Sequence, residues 1–408
     1  MSSAKEQGLG TLRALGLPVP PWFTIGPAET GSASLDAMLA DGIRRLEIAT
    51  GRRFGSGEGS ERLLVSVRSG AAVSMPGMMS TILNVGDDLA QAVRTVAASW
   101  DSPRAITYRE IHGIPHDLGT SVIVQAMVFG DRDERSCSGV AFSRDPNTGE
   151  RVMFGEMALR AQGDAVVAGE SATRPLSELA APQREALRAA LEKAERHYRD
   201  ACHVEFTIES GELWLLQVRP GGLSGPAAVR VAVDLVDEGL IDRAEAVRRV
   251  PGDARFTRTR RIGRTGPDLD VIARGRGASP GVACGRIAVT SDRAARMAAT
   301  GPVVLVRPHT SPMDMHGLAA AAGVVTVLGG ATSHAAVVAR SMGKPAVVQA
   351  GLSVDLDNSR VRVDGRTFDE GTLVTIDGTS GEIVLGEAPV TTGADDDHLR
   401  RFREWREA

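Results

Sequence analysis

Residues 329–343 read GGATSHAAVVARSMG, a histidine set directly after Gly-Gly-Ala-Thr-Ser and ahead of a helix-forming, apolar stretch. The run follows VVTVL (324–328), which reads as a buried strand. Strand, glycine-rich turn and helix in that order put His334 at the mouth of the helix. Thr332 or Ser333 is placed to cap it, which leaves free N–H groups and the positive dipole end beside the imidazole. That field favours the neutral ring, whose nitrogen stays nucleophilic near neutral pH. The same N–H groups suit a phosphoryl group, and Gly329 and Gly330 let the backbone approach a ligand closely. On this chemistry alone His334 is either a nucleophilic or phosphate-binding histidine, or one merely hydrogen-bonded at a helix start.

The neighbouring segments extend the pattern. PVVLVRP (302–308) is strand-like, and SPMDMHGLAAAA (311–322) is helical with Pro312 at the first helical position. PAVVQA (345–350) is a strand after the His334 helix, which gives β-α-β-α-β with short loops. ASPGVACGRIAVT opens this unit at Ala278, and TLVTIDGTSGEIVLG (372–386) closes it as a hairpin. DDDHLRRFREWREA is a short charged helix at the chain end. Upstream, 227–240 and 242–250 are short amphipathic helices. They precede RFTRTRRIGRTGPDLD (255–270), whose arginine, glycine and proline mark a solvated linker rather than a phosphate patch.

The first half mixes signals. RLLVSVRSG (62–70) reads as a buried strand, and TSVIVQAMVFG (120–130) with GVAFSRD (139–145) as a strand pair joined by a polar hairpin. Segments 102–114 and 182–201 are helical, and HVEFTIESGELWLLQVRP (203–220) is a hairpin around Glu209-Ser210-Gly211. The expected layout is a domain over 1–220, a helical and Arg-rich linker over 221–277, a second domain over 278–388 and a tail over 389–408.

Composition excludes several classes. A net charge of −4 is too mild to recommend nucleic acid or a membrane surface as partner. No run reaches the roughly 18 apolar residues a bilayer span needs, and the N-terminus has no signal-peptide pattern. Three scattered cysteines fit no metal spacing and point to a reducing compartment, with the cytoplasm as the expectation. Of 47 basic residues only Lys5, Lys193 and Lys344 are lysine, so each draws notice.

GGATSHAAVVARSMGKPAVV resembles the phosphohistidine motif of the swivelling domain in pyruvate, phosphate dikinase and other PEP-utilising enzymes. The flanking VLVRPHTSPMDMHGLAAAAGVVT and IDGTSGEIVLG share the likeness. SVRSGAAVSMPGMMSTILNVG (66–86) is similar to the dikinase phosphate loop, whose Gly, Ser and Met-Pro-Gly backbone can face phosphates. Segments 99–130 and 139–170 continue the resemblance. It implies a multidomain α+β and α/β protein: an ATP-grasp-like N-terminal domain, a helical linker and a small swivelling β/β/α phosphohistidine domain. It implies that His334 is phosphorylated and supported by Gly329, Gly330, Thr332 and Ser333, with Thr332 a regulatory position or a plain helix cap. Arg68 matches a triphosphate-binding arginine, Glu205 and Gln217 match magnesium and nucleotide ligands, Arg219 a phosphate contact and Lys5 the ATP-site lysine. Mg²⁺ with ATP is the cofactor so implied.

The sequence departs from the family at four places. The N-terminal strand expected ahead of Lys5 is missing or reduced to MSSA. About a dozen residues stand between 82–86 and 99–105, where the family carries a longer helical insertion. His203 replaces an aspartate two residues before Glu205, and neutral imidazole is a poor Mg²⁺ ligand. The sequence stops where a PEP/pyruvate-binding barrel would begin. The expected function is an ATP-dependent phosphotransferase that charges His334, releases AMP and passes the group to a small-molecule or protein acceptor. The alternatives are a catalytically impaired regulatory or binding relic, and a phosphocarrier loaded from PEP by a separate barrel chain. Expected partners are ATP, phosphate, the acceptor and that separate chain, with a homodimer left open.

Overall fold

Val65–Ala71 is an interior strand: it pairs antiparallel with Thr120–Ala126 on one side and Thr81–Val85 on the other. Trp22–Ile25 flanks Thr120–Ala126 and completes a four-stranded sheet. The computed structural model describes residues 3–55, 62–73, 75, 78–163, 173–250, 260–263, 269–393 and 396–407. They divide into two units, Met1–Phe129 with Thr207–Val218, and Gly130–Phe206 with Arg219–Ala408. The protein is a mixed α+β, multidomain chain. Among the described residues no helix is long and apolar enough to cross a membrane.

In the first unit, helices Leu35–Thr50 and Leu89–Ala98 cover the sheet. Leu35, Leu39 and Leu46 recur at helical spacing and are buried, as are Leu89, Val93 and Val96. Gly42 sits on the same stripe because a Cβ there would lie 2.5 Å from the Phe23 ring. Helix Ala4–Ala14 begins at Ser3, whose hydroxyl accepts from the Glu6 N–H. At Ser210 and Gly211 φ is 51° and 91°, both left-handed, as a two-residue hairpin turn requires.

The sequence pairing of 120–130 with 139–145 is corrected here. Thr120–Ala126 is buried at every position, and both its edges are taken by Trp22–Ile25 and Val65–Ala71. Cys137–Phe142 lies in another sheet, antiparallel to Phe154–Leu159.

In the second unit that sheet runs from residues 202–206 of strand Cys202–Glu209 through Cys137–Phe142 and Phe154–Leu159 to Arg174–Pro175. Helix Ala181–Tyr198 packs beside it and buries Leu187, Leu191 and Ala194. Arg144, fully buried, meets Glu195 of that helix at 2.7 Å, and Asp234 and Glu238 of the next helical segment at 3.3 and 2.9 Å. Helices Gly225–Asp237, Arg243–Arg249 and Asp397–Glu407 share one apolar cluster, in which Phe402 is buried. Arg260–Ile262 pairs antiparallel with Val390–Thr392.

An eight-stranded sheet fills 271–385. Its order is Val271–Arg274, Glu382–Leu385, Leu373–Asp377, Val282–Ala288, Val303–Arg307, Gly323–Thr326, Ala346–Val348, Arg276–Ser279. Val282–Ala288, Val303–Arg307, Gly323–Thr326 and Ala346–Val348 are mutually parallel neighbours. Helices Ser291–Ala298, Met315–Ala320 and His334–Ser341 cover one face. A three-stranded meander, Ser353–Asp355, Arg360–Val363 and Arg366–Asp369, covers the other. This is the expected β/β/α layering. The helix expected from Ser311-Pro312 starts later. The Asp314 N–H donates to Ser311 O at 2.9 Å, which closes a 3₁₀ turn over Pro312–Asp314 before Met315–Ala320 begins, and the Asp314 carboxylate accepts the Ser311 N–H at 2.9 Å.

Candidate functional site

Two adjacent parallel strands, Val303–Arg307 and Gly323–Thr326, end at the same edge of the sheet. The loop after one carries Thr310 and the loop after the other carries His334, so topology alone brings these side chains together. Ligand sites of open α/β sheets gather at such carboxyl edges. His334 opens helix His334–Ser341. Its Nδ1 lies 3.3 Å from the buried Thr310 hydroxyl, and its Nε2 is buried with no hydrogen-bond partner. Burial pushes the His334 pKa below the ordinary histidine value, partly opposed by the Asp314 charge. Asp314 stays anionic: burial raises its pKa, but the Ser291 hydroxyl, the Ser311 N–H and Arg307 together hold it below the carboxylate range.

The loop ahead of His334 departs from its sequence reading in two details. Ser333 is the N-cap by its backbone, and neither it nor Thr332 caps with its side chain. The Ser333 hydroxyl is buried without a partner, and the Thr332 hydroxyl donates to Glu156 Oε2 at 3.4 Å. The two glycines have separate reasons. Gly329 has φ of 83°, where L side chains are strained. Gly330 faces the Glu156 carboxylate so closely that any Cβ would overlap it. Glu156 is fully buried, ion-paired with Arg276, and comes from strand Phe154–Leu159.

The expected nucleotide residues fall in two groups. In the first unit Arg68 Nη1 donates to Leu216 O at 3.1 Å and Gln125 Oε1 at 3.4 Å, and its Nη2 to Gln217 Oε1 at 3.3 Å. Lys5 Nζ, from the first helix, donates to Ser69 O at 3.0 Å, one residue along the strand from Arg68. Lys5, Arg68 and Gln217 therefore converge. In the loop beyond, Met75 and Met78 are buried and Arg104 Nε holds Met78 O at 3.0 Å. Ser74, Pro76 and Gly77 of the expected phosphate loop lie outside the described residues.

In the second unit His203, Glu205 and Arg219 share one electrostatic neighbourhood. The His203 pKa is lowered to about 4, first by burial and then by Arg219, against the pull of Glu205. The neutral ring stacks on Phe142 at 4.9 Å and 28°, and its Nδ1 has no hydrogen-bond partner. Among the described residues no group of three or more His, Cys, Asp or Glu could hold a metal ion.

Sequence reasoning missed Thr310, Glu156, Phe142 and Arg340. Thr310 stood within a quoted motif, as the polar residue before a helix start. Glu156 lies 176 residues from Thr332, and no local pattern announces that pairing.

Comparison with known proteins gives two family matches. Residues 30–175 match the pyruvate phosphate dikinase AMP/ATP-binding domain, and residues 299–381 the mobile domain of PEP-utilising enzymes. Pyruvate, phosphate dikinase of Rhizobium meliloti strain 1021 is 35% identical over 99% of this chain and 58% of its own length. The Clostridium symbiosum protein is 33% identical over 98% and 58%, and pyruvate, phosphate dikinase 2 of Zea mays 34% over 98% and 57%. The chain thus spans a little over half the length of these relatives. Among solved structures, D-alanyl-alanine synthetase A of Vibrio cholerae overlaps loosely, with a TM-score of 0.33 and 13% identity over 61% of this chain and 63% of that one.

Proposed function

The chain belongs to the pyruvate, phosphate dikinase family of PEP-utilising enzymes, and on that premise we propose that it is an ATP-dependent phosphotransferase that charges His334. The observation that carries this reading is the pair Thr310 and His334: Nδ1 faces a hydroxyl while Nε2 has no protein partner. With the proton on Nδ1, the Nε2 lone pair attacks the β-phosphorus of ATP, the bond to the α–β bridging oxygen breaks, and AMP leaves. Inorganic phosphate then takes the γ-phosphoryl group as pyrophosphate, and the β-phosphoryl group stays on Nε2. Free N–H groups of the first helical turn stabilise its charge. An acceptor, small molecule or protein, removes it later.

Lys5, Arg68 and Arg219 would bind the triphosphate as cations. Glu205 and Gln217 are the magnesium ligands that the family implies, and the chemistry of each donor suits Mg²⁺, which takes one or two protein oxygens and completes its shell with phosphates and water. Magnesium brought with ATP would neutralise charge on the phosphate oxygens. Gly329, Gly330, Thr332 and Ser333 shape the loop, and Thr332 is the position where a modification would be felt, because its hydroxyl meets Glu156.

The test is direct. The full chain is incubated with β-³²P-ATP, Mg²⁺ and phosphate, and acid-labile, base-stable label is counted. Label on the wild type and none on His334→Ala is the expected result. Equal label on both, or none on either, overturns the reading. His203 favours a second reading, a carrier charged from PEP by a separate chain, since it puts a neutral imidazole where the family has a carboxylate. Label from ³²P-PEP plus lysate, with none from ATP, is the outcome that selects it.

A further inference from the structure

Arg340 is buried to 3% exposure within helix His334–Ser341. Its Nη1 donates to Ala331 O and to Ala278 O, each at 2.8 Å. Ala331 is three residues before His334, and Ala278 lies on the edge strand Arg276–Ser279. Nε and Nη2 make no hydrogen bond. The guanidinium instead lies 5.6 Å from the Phe142 ring, within the range at which a cation is attracted to an aromatic face. On that ring His203 is stacked. Asp145 and Glu156 supply the compensating negative field for a charge that burial otherwise disfavours. An arginine with one nitrogen fixed to the loop and the rest of its fork bare is poorly explained as a core residue, because burying unmet donors costs stability.

We infer that Arg340 is a positioning residue for the charging of His334, bracing the Ala331 carbonyl against the Phe142 ring and through it against His203. The brace joins the loop that carries the nucleophile to the strand that carries Glu205. It rests on the reading of His334 as phosphoryl acceptor. Its contribution is to geometry: Arg340 touches neither ATP nor the reacting nitrogen.

A double-mutant cycle tests it, with Arg340→Lys, Phe142→Leu, the double variant, and Phe142→Trp as the conservative partner. Each single change to Lys or Leu is expected to lower the turnover of ATP-driven His334 labelling about tenfold, with KM for ATP unchanged. The double variant is expected to lose little more than either single, since contacting residues are non-additive. Phe142→Trp, whose face binds cations better, is expected to label within about twofold of wild type. Hydrogen exchange at amides 331–335, measured without nucleotide, is expected to quicken in the Lys and Leu variants alone. Losses that multiply to about a hundredfold, or exchange identical to wild type, overturn the inference. If the wild type takes no label from ATP, the proposed function fails, and the exchange measurement still decides the brace.

Discussion

Nδ1 of His334 and Oγ1 of Thr310 stand 3.3 Å apart although 24 residues separate them in the chain. In the proposed reaction the hydroxyl holds one ring nitrogen and leaves the other to act as the nucleophile. Thr310→Val keeps the shape and removes that contact. A single hydrogen bond of about 1 kcal/mol sets the expectation: labelling roughly fivefold slower, with Thr310→Ser near wild type. Initial labelling rates decide it, and an unaltered Val variant would mean the tautomer is set elsewhere.

Labelling should also tolerate acid. Burial lowers the His334 pKa, so the neutral, nucleophilic ring persists below the usual midpoint of about 6.5. The rate falls as pH drops through the lowered folded value. A pH profile of single-turnover labelling with its acid limb at or above 6.5 contradicts this.

Stability carries the same sign. His203 is held neutral down to about 4, while the unfolded chain takes up that proton near 6.5. The unfolded state binds more protons between these values, so stability is full above about 6.5 and declines as pH falls towards 4. The linked loss is on the order of 3 kcal/mol. Urea titrations at pH 7 and pH 4.5 measure it, and His203→Phe should reduce the difference. A metal test uses the same position: His203→Asp should lower the Mg²⁺ concentration that half-saturates labelling.

Gly330→Ala introduces a methyl group against the Glu156 carboxylate. Overpacking of this kind costs about 1–3 kcal/mol. It should slow ATP-driven labelling, and Glu156→Ala in the same chain should restore part of the rate by opening space. The rate in the double variant is the measurement, and no recovery would place the damage elsewhere in the loop.

Arg144→Met leaves Glu195, Asp234 and Glu238 without their shared cation. Stripping one partner from a buried ion cluster costs about 3–5 kcal/mol. Chemical denaturation should show it, and adding Glu195→Gln should recover part.

Much of this was legible in the chain, for physical reasons. The β-α-β-α-β run around His334 could be read because each element has its own local pattern, apolar run or capped amphipathic turn. The pairing of 120–130 could not, since a fully apolar strand announces that both faces are buried but never which neighbours bury them. Arg68 and Glu205 rested on resemblance, because an arginine at a strand end and a glutamate in a hairpin look ordinary. Arg340 stayed hidden for the opposite reason: on helical spacing it reads as a solvent-facing charge, and only the fold turns it inward.

The two short strands Arg260–Ile262 and Val390–Thr392 have one more consequence. Ile262 pairs with Val390, and the Gly263 N–H donates to Pro389 O at 2.8 Å. The path into the eight-stranded sheet and the path out of it therefore start side by side, as the two sides of a hairpin do. Topologically the eight-stranded module is an insertion at a turn. Excising 264–388 would leave ends that a two-residue Asn-Gly turn could close, and a foreign domain with neighbouring termini could be seated there without redirecting the rest of the chain.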